Sequence, residues 1–180
     1  MTVSDLHDMF IAHLPSGYLL AVQFQHLRSA IPVRIWIAVG MAGAVAPDLD
    51  LAYFFLVDHQ HVHHHRYFSH WPLFWLGLTL LLILVRGCMC LKQHAVTLGL
   101  LFCTGALLHV FLDTVAGDIW WLAPFIDKPF SWVKVPDRFS PWWLNFLLHG
   151  SFLAELLICG WAYQVYRSRR IAGGITSHCG

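Results

Sequence analysis

Charge is what this sequence lacks. Acidic and basic side chains make up 12% of its 180 residues, against about 25% in ordinary soluble domains. So few charges cannot cover a soluble surface of this size. Apolar residues reach 58%, above the usual ~45–50%, so the composition is that of an integral membrane protein. A formal net charge of +1 leaves no general basic patch, which argues against nucleic acid as a partner. Cysteine pairing is also missing. The five cysteines (Cys88, Cys90, Cys103, Cys159 and Cys179) are odd in number and contain no Cys-x-x-Cys, which argues against a disulfide framework or a thiolate zinc site. The N-terminal residues show neither a basic lead nor a cleavage motif, so no removable signal peptide is expected. No internal repeat is visible.

Histidine and tryptophan are abundant. The nine tryptophans gather at the ends of apolar runs, as an interfacial aromatic belt would. Six of the thirteen histidines and three of the ten acidic residues fall in residues 47–70, between long apolar runs. Charge beside lipid-length segments is costly, so such a stretch marks a site more often than a surface.

The hydropathy pattern predicts an all-α membrane bundle of about four to five spans, at 9–27, 35–57, 71–86, 94–112 and 142–166. It forms a single domain over 1–170 with a disordered tail at 171–180. A crossing needs roughly 20 residues. Segment 9–27 is the weakest candidate, with Pro15-Ser16-Gly17 read as its start and Ser16 as a possible cap. Pro47 interrupts the second segment, and the freed backbone groups and two aspartates that follow suit a polar cavity. Residues 58–70 read as a polar loop, 88–93 as a turn, and 114–140 as a loop lying partly on the interface. The lysine and arginine bias is seven to four across the expected spans, which puts the C-terminus inside and the histidine loop outside.

With that threading, His13, Asp48, Asp50, the loop and the His109–Asp113 pair reach one membrane face. His109 and Asp113 are four apart and share a helix face. Imidazole and carboxylate together suit zinc, with manganese or iron as alternatives. Asp48 and Asp50 are two apart, so an irregular turn must aim both. His65 and His70 bracket Arg66, whose planar fork suits a phosphate or carboxylate. Blander roles stay open: a hydrogen-bonded core histidine at 109, a capping turn at Asp48-x-Asp50, and a solvated loop for His59, His61, His63 and His64. His149 and Glu155, the latter near mid-segment, read as structural polar contacts.

Taken in order, His13 with Gly17, Ala46-Pro47-Asp48-Leu49-Asp50, His65-Arg66-Tyr67-Phe68-Ser69-His70, and His109-Val110-Phe111-Leu112-Asp113 with Gly117 and Pro124-Phe125 resemble the YdjM-like family of bacterial inner-membrane proteins. Those proteins are described as metal-dependent hydrolases, with a distant similarity to zinc-dependent phospholipase C and P1 nuclease. The resemblance implies a site at His13, Asp48, Asp50, His65, Arg66, His70, His109 and Asp113. The extra histidines at 59, 61, 63 and 64 lie outside that pattern. It also implies a hydrolase acting on a phosphoester or other lipid-borne ester through metal-activated water. Asp48, Asp50 and Arg66 would be the catalytic groups, and His13, Asp48, Asp50, His65, His70, His109 and Asp113 the metal-binding set. The alternative is a non-enzymatic membrane protein that binds or moves a metal ion or protons.

Overall fold

The computed structural model describes residues 11–59, 61–88, 93–136, 138–140 and 143–176. Among them the regular structure is helical, with one isolated antiparallel bridge between Ile119 and Phe130. The helices are α1 (His13–Gln23), α2 (Val33–Val45), α3 (Asp50–Leu56), α4 (Pro72–Cys88), α5 (Gln93–Ala116), α6 (Trp143–Leu147) and α7 (Gly150–Thr176). Short 3₁₀ turns at Gln25–Arg28, Pro47–Leu49, His64–Arg66 and Phe68–His70 join them.

One helix, α5, is long and apolar enough to cross a membrane; the bent pair Val33–Val45 and Pro47–Leu56 is a second if counted as one span. The bend is 60°. Its cause is Pro47, which has no amide hydrogen to continue the helical ladder. The apolar helix α4 is shorter.

The centre of the molecule is α5. Against it pack α2 on one side and α4 on the other, while α1 lies on α2 and α7 on α1. Small residues permit the close approach of α2 and α5. A methyl group on Gly43 would lie 2.2 Å from the Phe102 carbonyl oxygen, and one on Gly105 would lie 2.9 Å from the Ala44 amide nitrogen. Small residues are the usual means of tight packing between membrane helices. Larger side chains fill the flanks: Trp36, Ile31, Ala21 and Leu101 between α1, α2 and α5, and Trp75, Cys103, Ala106 and Val110 between α4 and α5. The Trp36 indole donates to the Ala21 carbonyl at 2.7 Å, so its one polar group is satisfied. Apolar side chains point outward on α4 (Leu80, Leu81, Ile83, Leu84) and on α7 (Leu153, Leu156, Leu157, Trp161). Contiguous apolar surface of this kind marks contact with lipid or another apolar partner.

Three expectations change in detail. First, α1 starts at His13, not at Ser16. Pro15 is tolerated in a first turn because its missing amide would be unpaired there anyway. Ser16 does not cap; its hydroxyl donates back to the His13 carbonyl at 2.7 Å. Second, the last segment is two helices, with the break at Leu148-His149. His149 Nδ1 accepts from the Ser151 amide at 3.2 Å and begins α7. Third, α7 runs to Thr176, past the expected boundary at 170. Residues 177–180 and most of the 88–93 turn lie outside the described residues.

Candidate metal centre

The helix break and the histidine loop meet the C-terminal half of α5. Because α2 ends at Val45, its last carbonyls have no helical donor. His109 Nδ1 donates to one of them, Ala44, at 2.8 Å. This fixes the ring and turns Nε2 toward the carboxylates, 2.9 Å from Asp113 Oδ2 and 3.4 Å from Asp48 Oδ1. His70 is fixed the same way. Its Nδ1 donates to Asp50 Oδ2 at 2.7 Å, and its Nε2 lies 3.7 Å from Asp48 Oδ1 and 3.8 Å from Asp113 Oδ2. His65 Nδ1 donates to the Asp118 carbonyl at 3.1 Å, with Nε2 4.0 Å from Asp113 Oδ2. His13 Nε2 is 3.0 Å from Asp113 Oδ1, and its ring stacks on His109 with centroids 3.8 Å apart.

Asp113 thus stands at the middle of four imidazoles. Yet both of its oxygens are buried without an aligned hydrogen-bond donor, and so is Nδ1 of His13. The two tautomers fixed by Ala44 and Asp50 also leave His70 Nε2 and His109 Nε2 facing one another at 3.4 Å. Neutral rings in those tautomers present lone pairs to each other and to carboxylate oxygens, an arrangement that only a cation makes favourable. A proton can serve, and so can a metal ion.

The donor set suits a metal. Three triads have ligand atoms within 4.8 Å of one another: His13, Asp48 and His109; His70, His109 and Asp113; and His64, His65 and His70. Imidazole nitrogens and carboxylate oxygens are ligands for zinc and its neighbours, and each ligating histidine normally has its other nitrogen held by an oxygen. Here Asp50, Ala44 and Asp118 do that holding. The histidines and Asp113 are at most 2% exposed, whereas Asp48 is 28% exposed, so the cluster opens to solvent beside Asp48. Burial alone would depress the His70 pKa, but its hydrogen bonds with Asp48 and Asp50 outweigh burial and raise it above its usual 6.5.

Every sequence-predicted site residue except Arg66 lies in or against this cluster. Asp50 is not among the metal-binding triads of the described residues. Its Oδ2 holds His70 and accepts the Ser69 hydroxyl, and its Oδ1 is buried without a hydrogen-bond partner. Arg66 turns away. It pairs with Asp127 at 2.7 Å and lies 5.5 Å over the Trp120 ring, beside a hollow of about 250 Å³.

His64 was grouped with the solvated histidines but is 1% exposed. His63 Nδ1 accepts from the His65 amide at 3.2 Å and closes the 3₁₀ turn, which directs His64 inward against Phe54. No feature of the sequence separates it from His59 and His61, which are exposed as expected. Glu155 is not at the middle of its helix. It lies in the second turn of α7, fully buried, and Oε2 accepts the Ile11 amide at 2.8 Å, two residues before His13. The arginines gather elsewhere: Arg169 donates to Gln25 at 2.8 Å, beyond the other end of α1.

A family model described as YdjM inner membrane protein matches residues 9–175, nearly the whole chain. The chain belongs to the YdjM inner membrane protein family. Comparison with curated proteins and with solved structures returned no match. YdjM membership makes this an inner membrane protein and accounts for the apolar outer faces of α4 and α7.

Proposed function

We propose that this protein is a membrane-embedded, metal-dependent hydrolase acting on a phosphoester or another ester carried by a lipid. The observation that carries the proposal is the pair of imidazoles whose Nδ1 atoms are tied to Ala44 and Asp50 while their Nε2 atoms converge on Asp48 and Asp113. Such pre-orientation matches what metal-binding histidines require. Zinc suits the mixed nitrogen and oxygen donors best, and manganese or iron also fit.

His13, His65, His70, His109, Asp48 and Asp113 would hold the metal. When bound, a divalent ion acidifies water to give a nucleophile near neutral pH and neutralises charge growing on the substrate. Asp48, the most exposed of the carboxylates that face the cluster, is placed to take a proton from water at the opening. Asp50 keeps His70 in the tautomer that presents Nε2. Arg66 would take the anionic group of a substrate by exchanging Asp127 for it.

In the membrane, α1, the α2–α3 pair, α4, α5 and α7 would form the bundle. The arginine-rich end would face the cytoplasm with the C-terminus, and the histidine loop would face out. A transport path needs polar groups at several depths. Glu155 was the main candidate for a second depth, and its bond to Ile11 brings it to the His13 end of α1. That favours a one-face site over a pathway.

The test is metal content and phosphodiesterase activity of detergent-purified protein beside His109→Ala and Asp48→Ala. Stoichiometric metal, with activity that disappears in both variants, is expected. Wild-type protein without metal, or variants with full activity, would overturn the assignment.

A further inference from the structure

Building on the metal-centre reading, we propose that the histidine loop brings a second cation position of its own. His64, His65 and His70 hold it, beside a first position held by His13, Asp48 and His109. Two of the three candidate triads share no residue, and these are the two. The remaining triad, His70, His109 and Asp113, draws one histidine from each and so marks the seam between them.

A count of available nitrogens supports the division. Nδ1 of His65, of His70 and of His109 is occupied in donating to Asp118, Asp50 and Ala44. Each ring therefore has one nitrogen to give, and one nitrogen binds one ion. A single ion served by every donor would need at least seven ligands, counting Asp113, whereas zinc-like ions take about four. Two ions use all of them without sharing a ring. Asp113 lies where a bridge is needed. Oδ1 faces His13 at 3.0 Å, and Oδ2 faces His109, His70 and His65 at 2.9, 3.8 and 4.0 Å. His70 Nε2 of one triad lies 3.4 Å from His109 Nε2 of the other, which makes the two positions immediate neighbours. Paired ions roughly 3.5–4 Å apart serve in-line displacement at phosphorus by holding the attacking and leaving oxygens together.

The loop is built to present His64. His63 closes the 3₁₀ turn and stacks flat on His64, with centroids 5.3 Å apart and planes at 7°. Phe54 of α3 backs the same ring at 5.7 Å. His64 and His65 stand 4.2 Å apart, and His65 and His70 stand 4.6 Å apart.

The experiment is equilibrium dialysis of the full detergent-solubilised chain against zinc, with metal counted by mass spectrometry. The background is His59→Ala/His61→Ala, which removes the exposed imidazoles that would take up surface zinc. Two ions per chain are expected. His64→Gln should retain one, and so should His13→Gln, each with the metal-free thermal midpoint of its parent. One ion in the parent, or two in His64→Gln, would overturn the second position while leaving the first intact. No ion in the parent would overturn the metal-centre reading itself. If His64→Gln does not fold, the parent's count of one or two still decides.

Discussion

The two limbs of the histidine loop, residues 58–63 and 64–70, carry three histidines each and have opposite fates. In the outer limb His59 and His61 are exposed, and Asp58 closes a local turn by accepting the amides of His61 and Val62. Residues 64–70 turn inward, with His64, His65 and His70 each at most 1% exposed. Histidine content does not separate the limbs. What separates them, at His65 and His70, is the group that receives the ring's second nitrogen. In the inner limb that group is a carbonyl or carboxylate from another segment, Asp118 or Asp50. In the outer limb, the His61 ring meets the Asp58 carbonyl, three residues back. A metal site is built by long-range partners, and a histidine tract alone is not one.

The largest effect that would sharpen this comparison comes from the inner side. His109→Ala and Asp113→Asn should each lower the buried metal content and abolish hydrolysis, read by mass spectrometry and turnover, while His59→Ala/His61→Ala leaves hydrolysis as it is. Equal losses from both sets would erase the distinction. Next is Asp50→Asn, which preserves size but weakens the hold on His70. Loss of such an orienting partner typically costs 10–100-fold in metal affinity, measurable by competition with a chromophoric chelator. Asp58→Asn, its counterpart in the outer limb, should leave that affinity unchanged.

The sequence displayed much of this arrangement. Apolar run lengths located α4 and α5 to within a few residues, though not the bounds of α7, and the spacing of His109 and Asp113 put both on one face of α5. Pro47 announced the bend. The rest depended on contacts the sequence cannot express. The partner of His109 is a backbone carbonyl, Ala44, freed by a helix ending elsewhere. Asp50 reads as a ligand until the ring nitrogen it meets is known. His64 looks like its exposed neighbours until Phe54 covers it. Glu155 reads as mid-segment only while residues 142–166 are taken as one helix.

A smaller effect follows from pH. In metal-free protein the His70 pKa lies above its usual 6.5, despite burial, because of Asp48 and Asp50. A raised pKa adds stability that is complete below about 6.5 and is lost as pH climbs through the raised value. Metal requires the neutral ring, so its affinity changes the other way and grows with pH. The thermal midpoints of metal-free and zinc-loaded protein should therefore draw apart as pH rises above about 6.5. Parallel curves would show that His70 is not a ligand. The smallest effect belongs to the outer limb. The Val62 amide is the main cause that holds the Asp58 carboxyl below its usual 3.8, and the His61 amide adds to it. Its contribution is present above that value and disappears only as pH falls through the lowered one. Asp58→Asn should therefore leave the pH dependence of the thermal midpoint near neutral pH unaltered and change it only in acid.

The most direct test of the central claim, that buried imidazoles and carboxylates form a metal centre, is X-ray absorption at the zinc edge on zinc-loaded protein. The account predicts a first shell of nitrogen and oxygen only, with the outer scattering of several imidazole rings and no sulfur. A shell containing sulfur, or one without imidazole scattering, would contradict it.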